Sequence, residues 1–289
     1  MDLSIILLNY KQKGLLKQCI KGIVTAQPRL DYEIIVVDNA SGDNSLAMVK
    51  TMFSGKEAED ASQSKLPLAQ AAKLPDSVTI QADTNGGFAV GNNLGIEKAR
   101  GRYIMILNPD IAIVPNALEK MVNFMEQHLN VGMIGPKLIN PDGSVQYSCR
   151  RFPSLTTPFF RRTMFGKLPL AKKPIEDYLM KDFDHNTNCA VDWLFGACLL
   201  ARKSVLDKVG YFDERFFMYF EDLDLCRRFW QAGFKVMFFA ETELVHYHQR
   251  LSAERGGVLG ILKRGGRVHF ASGIKYFAKY LGVKLPVKN

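Results

Sequence analysis

Four short stretches hold residue types that do chemistry rather than packing. In "ILNPDIAI", residues 106–113, a run of β-formers is interrupted by Asn108, Pro109 and Asp110. A proline cannot donate to a strand ladder, so the carboxylate after it sits on a rigid corner. There it suits a hard divalent cation whose other ligands are diphosphate oxygens; an ordinary Asn-Pro-Asp turn is the alternative. In "FEDLDLCRR", residues 220–228, Glu221, Asp222 and Asp224 fall within four positions. Carboxylates favour a helix N-terminus through its dipole, and Asp224 with Arg228 forms an i,i+4 pair. Beside a cavity, one of them would instead deprotonate a hydroxyl as general base. "VHYH", residues 245–248, puts His246 and His248 on one face of an extended segment, as metal ligands, phosphate contacts or structural histidines. "DTNGGFAVGNNLGI", residues 83–96, is rich in glycine and asparagine but lacks the GxGxxG spacing of a dinucleotide fingerprint. Its glycines allow close backbone approach, and a helix starting near Ala89 would offer N–H groups to an anion; a tight structural turn is the competing account.

The surrounding sequence supplies a frame for these groups. "LSIILL" (3–8), "YEIIVVD" (32–38), "SVTIQA" (77–82), "YIMIL" (103–107) and "VGMIG" (131–135) are apolar runs of buried-strand type. Helical stripes lie between them, through Leu15, Leu16, Cys19, Ile20 and Ile23, then through Leu46, Val49 and Phe53, and again from Pro115 to about His128. This βαβα alternation predicts a parallel sheet with helices on both faces, on which ligands bind beyond the carboxyl ends of the strands. Those ends carry Asn9, Asp38, Asn39, Asn108 and Asp110, although taken alone Asn9 and Asn39 fit turn or cap roles better. Residues 54–77 are polar and weakly periodic and are expected to form a surface insertion. Beyond residue 140 the chain turns loop-rich. "VDWLFGACLLARKSVLDKVG" (191–210) then predicts strand, turn and helix, and the acidic cluster opens a helix ending at Gly233, a C′ glycine.

Bulk properties narrow the class. The 289 residues are ample for a large core, and five unpatterned cysteines argue against a disulfide framework or zinc site and for a reducing compartment. The N-terminus has no signal-peptide pattern, and the longest apolar stretches fall short of the ~20 residues of a membrane span, so the protein is expected to stay on the cytoplasmic side. The net charge is +9, and residues 250–289 hold nine Lys/Arg against Glu254 alone. Phe270, Ile274, Phe277 and Leu281 recur there at helical spacing. This segment suits an anionic membrane surface or a solvated helical tail; no nucleic-acid module is recognisable.

Taken in order, "IILLNY", "IIVVDNASGD", "NGGFAVGNNLGI", "YIMILNPDI", "DWLFGACLLARKSVLDKVGYFDERFFMYFEDLDLCRR" and "VHYH" resemble the family-2 glycosyltransferases of GT-A fold, in particular their bacterial rhamnosyltransferase-like branch. The resemblance runs from Leu3 to about Ser252. It implies an α/β GT-A domain over residues 1–250, with a Rossmann-like, mostly parallel central sheet flanked by helices. Residues 1–135 would form the nucleotide-binding half and 136–250 the acceptor half, followed by the basic amphipathic segment 251–289. It also implies roles. Asp38 would hold the base or ribose of a nucleotide-sugar, with Asn9, Asn85, Gly86, Asn92 and Asn108 around the same donor. Asp110 and His246, with His248 as fallback, would bind Mg²⁺ or Mn²⁺. Asn108 stands where many relatives carry the first acid of Asp-x-Asp, which removes one candidate ligand. Asp222 would be the catalytic base, and Trp193, Gly196 and Glu221 would border donor sugar and acceptor. The implied reaction is inverting transfer, foremost of L-rhamnose from dTDP-L-rhamnose, onto a saccharide or polyprenyl-diphosphate-linked acceptor. It would serve cell-surface polysaccharide synthesis such as that of O-antigen in lipopolysaccharide, on the inner face of the membrane. A UDP-sugar transferase of the same fold is the nearest alternative. A non-catalytic nucleotide- or glycan-binding module would not need Asp222 and Asp110 together.

Overall fold

The computed structural model describes residues 1–54, 74–162, 166, 168–247 and 264–286. A nine-stranded sheet forms the centre of the protein. β1 (Leu3–Asn9), β2 (Tyr32–Asp38), β3 (Asp76–Gln81) and β4 (Tyr103–Leu107) are continuous apolar runs buried on both faces, apart from the more exposed edge strand β3. They pair in parallel in the order β3-β2-β1-β4. The sheet continues through β10 (Cys198–Arg202), β6 (Val131–Ile139) and β11 (Lys235–His246) to the short β5 (Ile111–Ala112), while β8 (Cys189–Ala190) also pairs with β11. β10 runs antiparallel to both β4 and β6, and β5 and β8 run antiparallel to β11. The predicted mostly parallel sheet is therefore present, with β10 as a reversed strand inserted at its middle. β7 (Cys149–Arg150) and β9 (Trp193–Leu194) make a separate antiparallel pair.

Two apolar cores fill the two faces of the sheet. One packs α1 (Lys13–Thr25), α2 (Ser45–Phe53) and α4 (Ala117–Gln127) through Leu16, Ile20, Val49 and Met121. The other packs α3 (Gly87–Lys98), α7 (Lys203–Val209) and α8 (Glu221–Gln231) through Ile96, Leu206, Phe229 and Trp230. α5 (Thr157–Arg162) and α6 (Pro169–Tyr178) cover the loop-rich region. α8 ends as the sequence predicts, with Gly233 at φ 85°.

Three expectations need adjustment. Asp76 and Ser77, assigned to the polar insertion 54–77, already belong to β3; residues 55–73 of that insertion lie outside the described residues. The glycines after Asn85 serve packing: side chains at Gly91 and Gly95 would run into Leu8 and Ile6 of β1. The first amides of α3 are not free for an anion, since Gly87 N–H donates to Asn85 Oδ1 and Phe88 N–H to the Phe217 carbonyl.

The third concerns the basic C-terminal segment. Its helix α9 (Arg264–Lys279) docks on the domain through Ser272, Gly273 and Tyr276. The anticipated stripe lies mainly on the other side: Phe270, Ile274 and Leu281 are 62%, 57% and 82% exposed. The docked face mixes ring and polar contacts, which a hydrophobic-spacing rule does not detect. No helix among the described residues is long and apolar enough to cross a membrane.

Candidate active site

Asp110 and His246 meet because β11 ends beside the Asn108–Asp110 corner. His246 pairs with Ile111, and the Tyr247 amide donates to the Asp110 carbonyl at 2.8 Å. His246 Nε2 stands 3.3 Å from Asp110 Oδ1, and both side chains are largely buried. Gln146 fixes the imidazole. Its Nε2 donates to Asn140 Oδ1 and to the His246 carbonyl, so its Oε1 faces His246 Nδ1 at 2.8 Å. An amide oxygen accepts only, so Nδ1 donates to it and Nε2 is the ring nitrogen that faces the Asp110 carboxylate. Asp110 Oδ1 accepts no hydrogen bond despite its burial. A ring nitrogen and a carboxylate oxygen converging in this way would serve a divalent cation with the imidazole neutral, Gln146 being the outer partner that orients the ring. No cluster of three or more His, Cys, Asp or Glu suited to a metal occurs among the described residues, so a cation here would complete its shell with oxygens from a ligand, as Mg²⁺ commonly does. His248 lies outside the described residues.

The acidic cluster opens α8, as predicted, and its three carboxylates diverge. Asp224 is wholly buried and bound by Arg228 Nε, Lys279 Nζ and the Tyr280 hydroxyl. Asp222 is partly exposed; its Oδ2 accepts from the Gly196 amide at 3.0 Å and its Oδ1 from its neighbour Leu223 at 2.8 Å. A Cβ at residue 196 would meet the Phe88 ring and Asp222 Cβ, so glycine there lets the carboxylate approach the backbone. Burial raises the Asp222 pKa, while the two amides and the nearby Arg150 guanidinium pull against it. Burial and the Asp222 charge hold Glu221 well above the ordinary range, and Glu221 Oε2 accepts no hydrogen bond. Burial thus raises both adjacent carboxyls, and at Asp222 the Gly196 and Leu223 amides work against it.

The turn that presents this pair is strained. Tyr219 and Phe220 both adopt left-handed φ, 68° and 71°, immediately before Glu221, each costing about 1–3 kcal/mol for a bulky residue. α9 holds them there. Phe220 packs on His269, Tyr276 and Phe277, and Ser272 donates to the Met218 carbonyl.

One short segment links the two chemical groups. Asn108 N–H donates to the Ala197 carbonyl at 2.8 Å, and the preceding residue, Gly196, holds Asp222. The Asp110 corner and the Asp222 carboxylate are thus tied to neighbouring residues of one strand entry.

The remaining candidates fall into two groups. At the β1–β2 edge, Asp38 accepts from Asn9 Nδ2, the Ser41 amide and hydroxyl, and Gln81 Nε2. Burial works against its charge, but these bonds hold its pKa below the ordinary value. Asn9 is fully buried and spends its amide on Asp38, Ser41 and the Gln12 amide, so it braces the pocket from behind rather than lining it. Asn85 and Gly86 are bound by Asn39, and Asn92 is fully buried within α3 with its Nδ2 on the Phe88 carbonyl. On the other side, Trp193 is largely buried and donates from Nε1 to the Arg151 carbonyl.

Sequence reasoning missed Arg150 and Asn93. Asn93 clamps α3 to the turn before α8 through the Phe212 backbone and Glu214; "GNNLG" contained that signal as a second buried amide. Arg150 sits in a loop-rich stretch with no local pattern to mark it.

Comparison with known proteins fits this geometry. The sequence profile of Glycosyl transferase family 2 matches residues 4–210. The chain belongs to this family. It is 28% identical over 201 residues to the N-acetylglucosaminyl-diphospho-decaprenol L-rhamnosyltransferase of Mycobacterium tuberculosis, a match covering 66% of this chain and 65% of that protein, just under two thirds of the relative's length. It is also 28% identical to the rhamnosyltransferase WbbL of Escherichia coli, over 67% of this chain and 70% of that protein. Among solved structures, GalNAc-T7 with UDP, GalNAc and Mn²⁺ aligns with a TM-score of 0.59 at 13% identity, covering 85% of this chain and 44% of that one. Staphylococcus aureus TarS with UDP-GlcNAc aligns at 0.54 and 17% identity, covering 85% and 58%. The fold is that of the GT-A glycosyltransferases.

Proposed function

We propose that this glycosyltransferase moves L-rhamnose from dTDP-L-rhamnose, with inversion, onto a saccharide carried on a polyprenyl diphosphate, in the assembly of a cell-surface glycan. The reading draws on the similarity to two rhamnosyltransferases. The observation that carries the chemistry is the tie between the Asp110 corner and Asp222 through Gly196 and Ala197. Asp222, oriented by two backbone amides, removes the proton of the acceptor hydroxyl as that oxygen attacks the anomeric carbon. One base acting by direct displacement gives inversion. Glu221, buried beside it with Oε2 unbonded, resists a second charge, so Asp222 is the member of the pair assigned the proton-accepting role. Asp110 and His246 would hold Mg²⁺ or Mn²⁺, which when bound supplies positive charge against the departing diphosphate. The donor's nucleoside would lie at the β1–β2 edge near Asp38 and Asn85. α9 brings a membrane-bound acceptor within reach by presenting Phe270 and Ile274 beside Arg267 and Lys275, an arrangement suited to anionic lipid.

The test pairs two variants. Asp222→Asn should lower transfer about 10²–10⁴-fold, the usual contribution of a general base, and leave dTDP affinity in Mn²⁺ unchanged. Asp110→Ala should abolish the metal dependence of dTDP binding, followed by titration calorimetry. Transfer by Asp222→Asn at the wild-type rate would sink the mechanism, and a preference for UDP over dTDP would move the donor to a UDP-sugar. Co-sedimentation with anionic vesicles, lost on replacing Phe270 and Ile274 by serine, checks the membrane contact.

A further inference from the structure

Near Asp222 stands a positive charge, Arg150, that the reaction above does not use. Arg150, on β7, lies 4.3 Å from the Phe195 ring centroid, 5.4 Å from that of Tyr178 and 5.5 Å from that of Trp193. Arg161 stacks on Tyr178 as well, at 5.2 Å. Among the described residues no carboxylate lies within ion-pair distance of Arg150, whereas neighbouring Arg151 is paired with Asp182. Among the described residues its side chain makes only long hydrogen bonds, to the Tyr147 carbonyl and the Tyr178 hydroxyl at 3.4 and 3.5 Å. A guanidinium set among three rings, with only these two long bonds, keeps most of its five donors uncommitted. Phe195 directly precedes Gly196, whose amide holds Asp222, so this cation stands at the wall of the base.

We propose that Arg150, set in the Tyr178–Trp193–Phe195 wall, is an anion subsite that binds the phosphate of a lipid-diphosphate-linked acceptor and so orients its sugar hydroxyl toward Asp222. The assignment to the acceptor rests on the transferase reading; the anion subsite itself does not. Guanidinium matches phosphate in two-point hydrogen bonding, and Phe195, the partly exposed ring beside it, is an apolar surface for the saccharide. Donor diphosphate is the other possible source of the anion, and its place is at the Asp110–His246 corner, where a cation would neutralise it. The subsite on Arg150 needs no metal.

That difference supplies the experiment. The full chain and its Arg150→Met and Arg150→Lys variants are titrated with a short-chain prenyl-diphosphate-linked N-acetylglucosamine and with the phosphate-free octyl glycoside, in EDTA. dTDP binding is measured separately in Mn²⁺. The wild type should prefer the diphosphate probe. Arg150→Met should lose about 10- to 100-fold of that affinity, the scale of hydrogen bonds to a charged group, with no change for the octyl glycoside or for dTDP. Arg150→Lys should recover part of the loss, which a purely structural role would not predict. In transfer assays the Arg150→Met defect should appear in the acceptor KM rather than in kcat at saturation. Equal affinity of wild type and Arg150→Met for the diphosphate probe overturns the proposal, and so does a parallel loss of dTDP binding, which would give the subsite to the donor. Arg150-dependent probe binding by a wild type that transfers no sugar would uphold the subsite and overturn the transferase reading instead.

Discussion

The two sides of this cleft are built in opposite ways. At the β1–β2 edge the charged group, Asp38, is met by four donors from Asn9, Ser41 and Gln81, and its pKa falls. At the start of α8, Glu221 has an oxygen without a hydrogen bond, both Glu221 and Asp222 are raised, and the preceding Tyr219 and Phe220 carry left-handed backbone. One side is electrostatically satisfied and regular. The other stores strain and unsatisfied charge, and depends on a distant element, α9, to keep it in place. A rigid satisfied edge suits recognition, and a destabilised pair suits proton transfer, because perturbed carboxyls collect where chemistry needs them. The contrast also divides stability, since removing groups on the two sides should have different sizes and different pH signs.

The largest effect should come from Asp224, the anchor between α8 and α9. Arg228, Lys279 and Tyr280 all converge on it in a fully buried position. Asp224→Ala leaves Arg228 and the Tyr280 hydroxyl without this anion, while Lys279 keeps Asp213 at 2.7 Å, and should cost about 3 kcal/mol. Thermal unfolding should fall by about 2–4 °C per kcal/mol for a chain of this size. Transfer should fall with it, because the turn bearing Glu221 and Asp222 loses its clamp, while dTDP affinity measured well below the transition stays close to wild type. Equal losses of transfer and nucleotide binding would break the division drawn between the two sides.

This same region shows what a single sequence does and does not disclose. β1, β2 and β4 are legible because a strand buried on both faces must be apolar at nearly every position, as in "LSIILL" and "YIMIL"; the buried exceptions within them, Ser4 and Glu33, bond to each other. The Asp110 corner is legible because proline and carboxylate interrupt such a run, and the α8 start because three acids precede an amphipathic helix. Arg150 is not legible, since its partners are far apart in sequence: Trp193 and Phe195 come to it through β7–β9 pairing, and Tyr178 from the end of α6. The docking of α9 is hidden for a related reason. Its contact face is made of Ser272, Gly273, Tyr276 and Lys279, whereas the apolar spacing marks the side left facing solvent. Asn9 shows the converse: its type and position suggest ligand contact, but its donors and acceptor are consumed in organising Asp38.

A smaller loss is expected on the satisfied side. Asp38→Asn turns one acceptor oxygen into a donor facing the Ser41 amide and Gln81 Nε2, and should cost about 1–3 kcal/mol at neutral pH. The folded pKa of Asp38 lies below its ordinary 3.8. Its contribution is therefore complete above that value and is lost as pH falls through the folded pKa. The gap in unfolding free energy between wild type and Asp38→Asn should be constant from pH 7 to about 5 and then close in acid. A gap that persists unchanged to pH 2 would mean that the carboxylate charge contributes nothing there.

The smallest effect should carry the opposite sign. Glu221 has a folded pKa raised well above its ordinary 4.5, first by burial and then by the Asp222 charge. Once the pH passes 4.5 the unfolded chain releases this proton while the folded chain retains it, so wild-type stability declines as pH rises and levels off only above the folded pKa. Glu221→Gln is neutral in both states and removes that decline. The variant should melt with the wild type at pH 4 and above it at pH 8, by the few degrees that about 1 kcal/mol gives a chain of this size. Its effect on catalysis separates two consequences of the same pair. Without a neighbouring carboxylate to ionise, Asp222 no longer meets a second charge at high pH, so the alkaline limb of kcat/KM should flatten if ionised Glu221 is what depresses it. A variant more stable at pH 8 yet unchanged in its pH–rate profile would place the cost of Glu221 in folding alone, and would leave Asp222 and its two amides as the whole of the proton-accepting device.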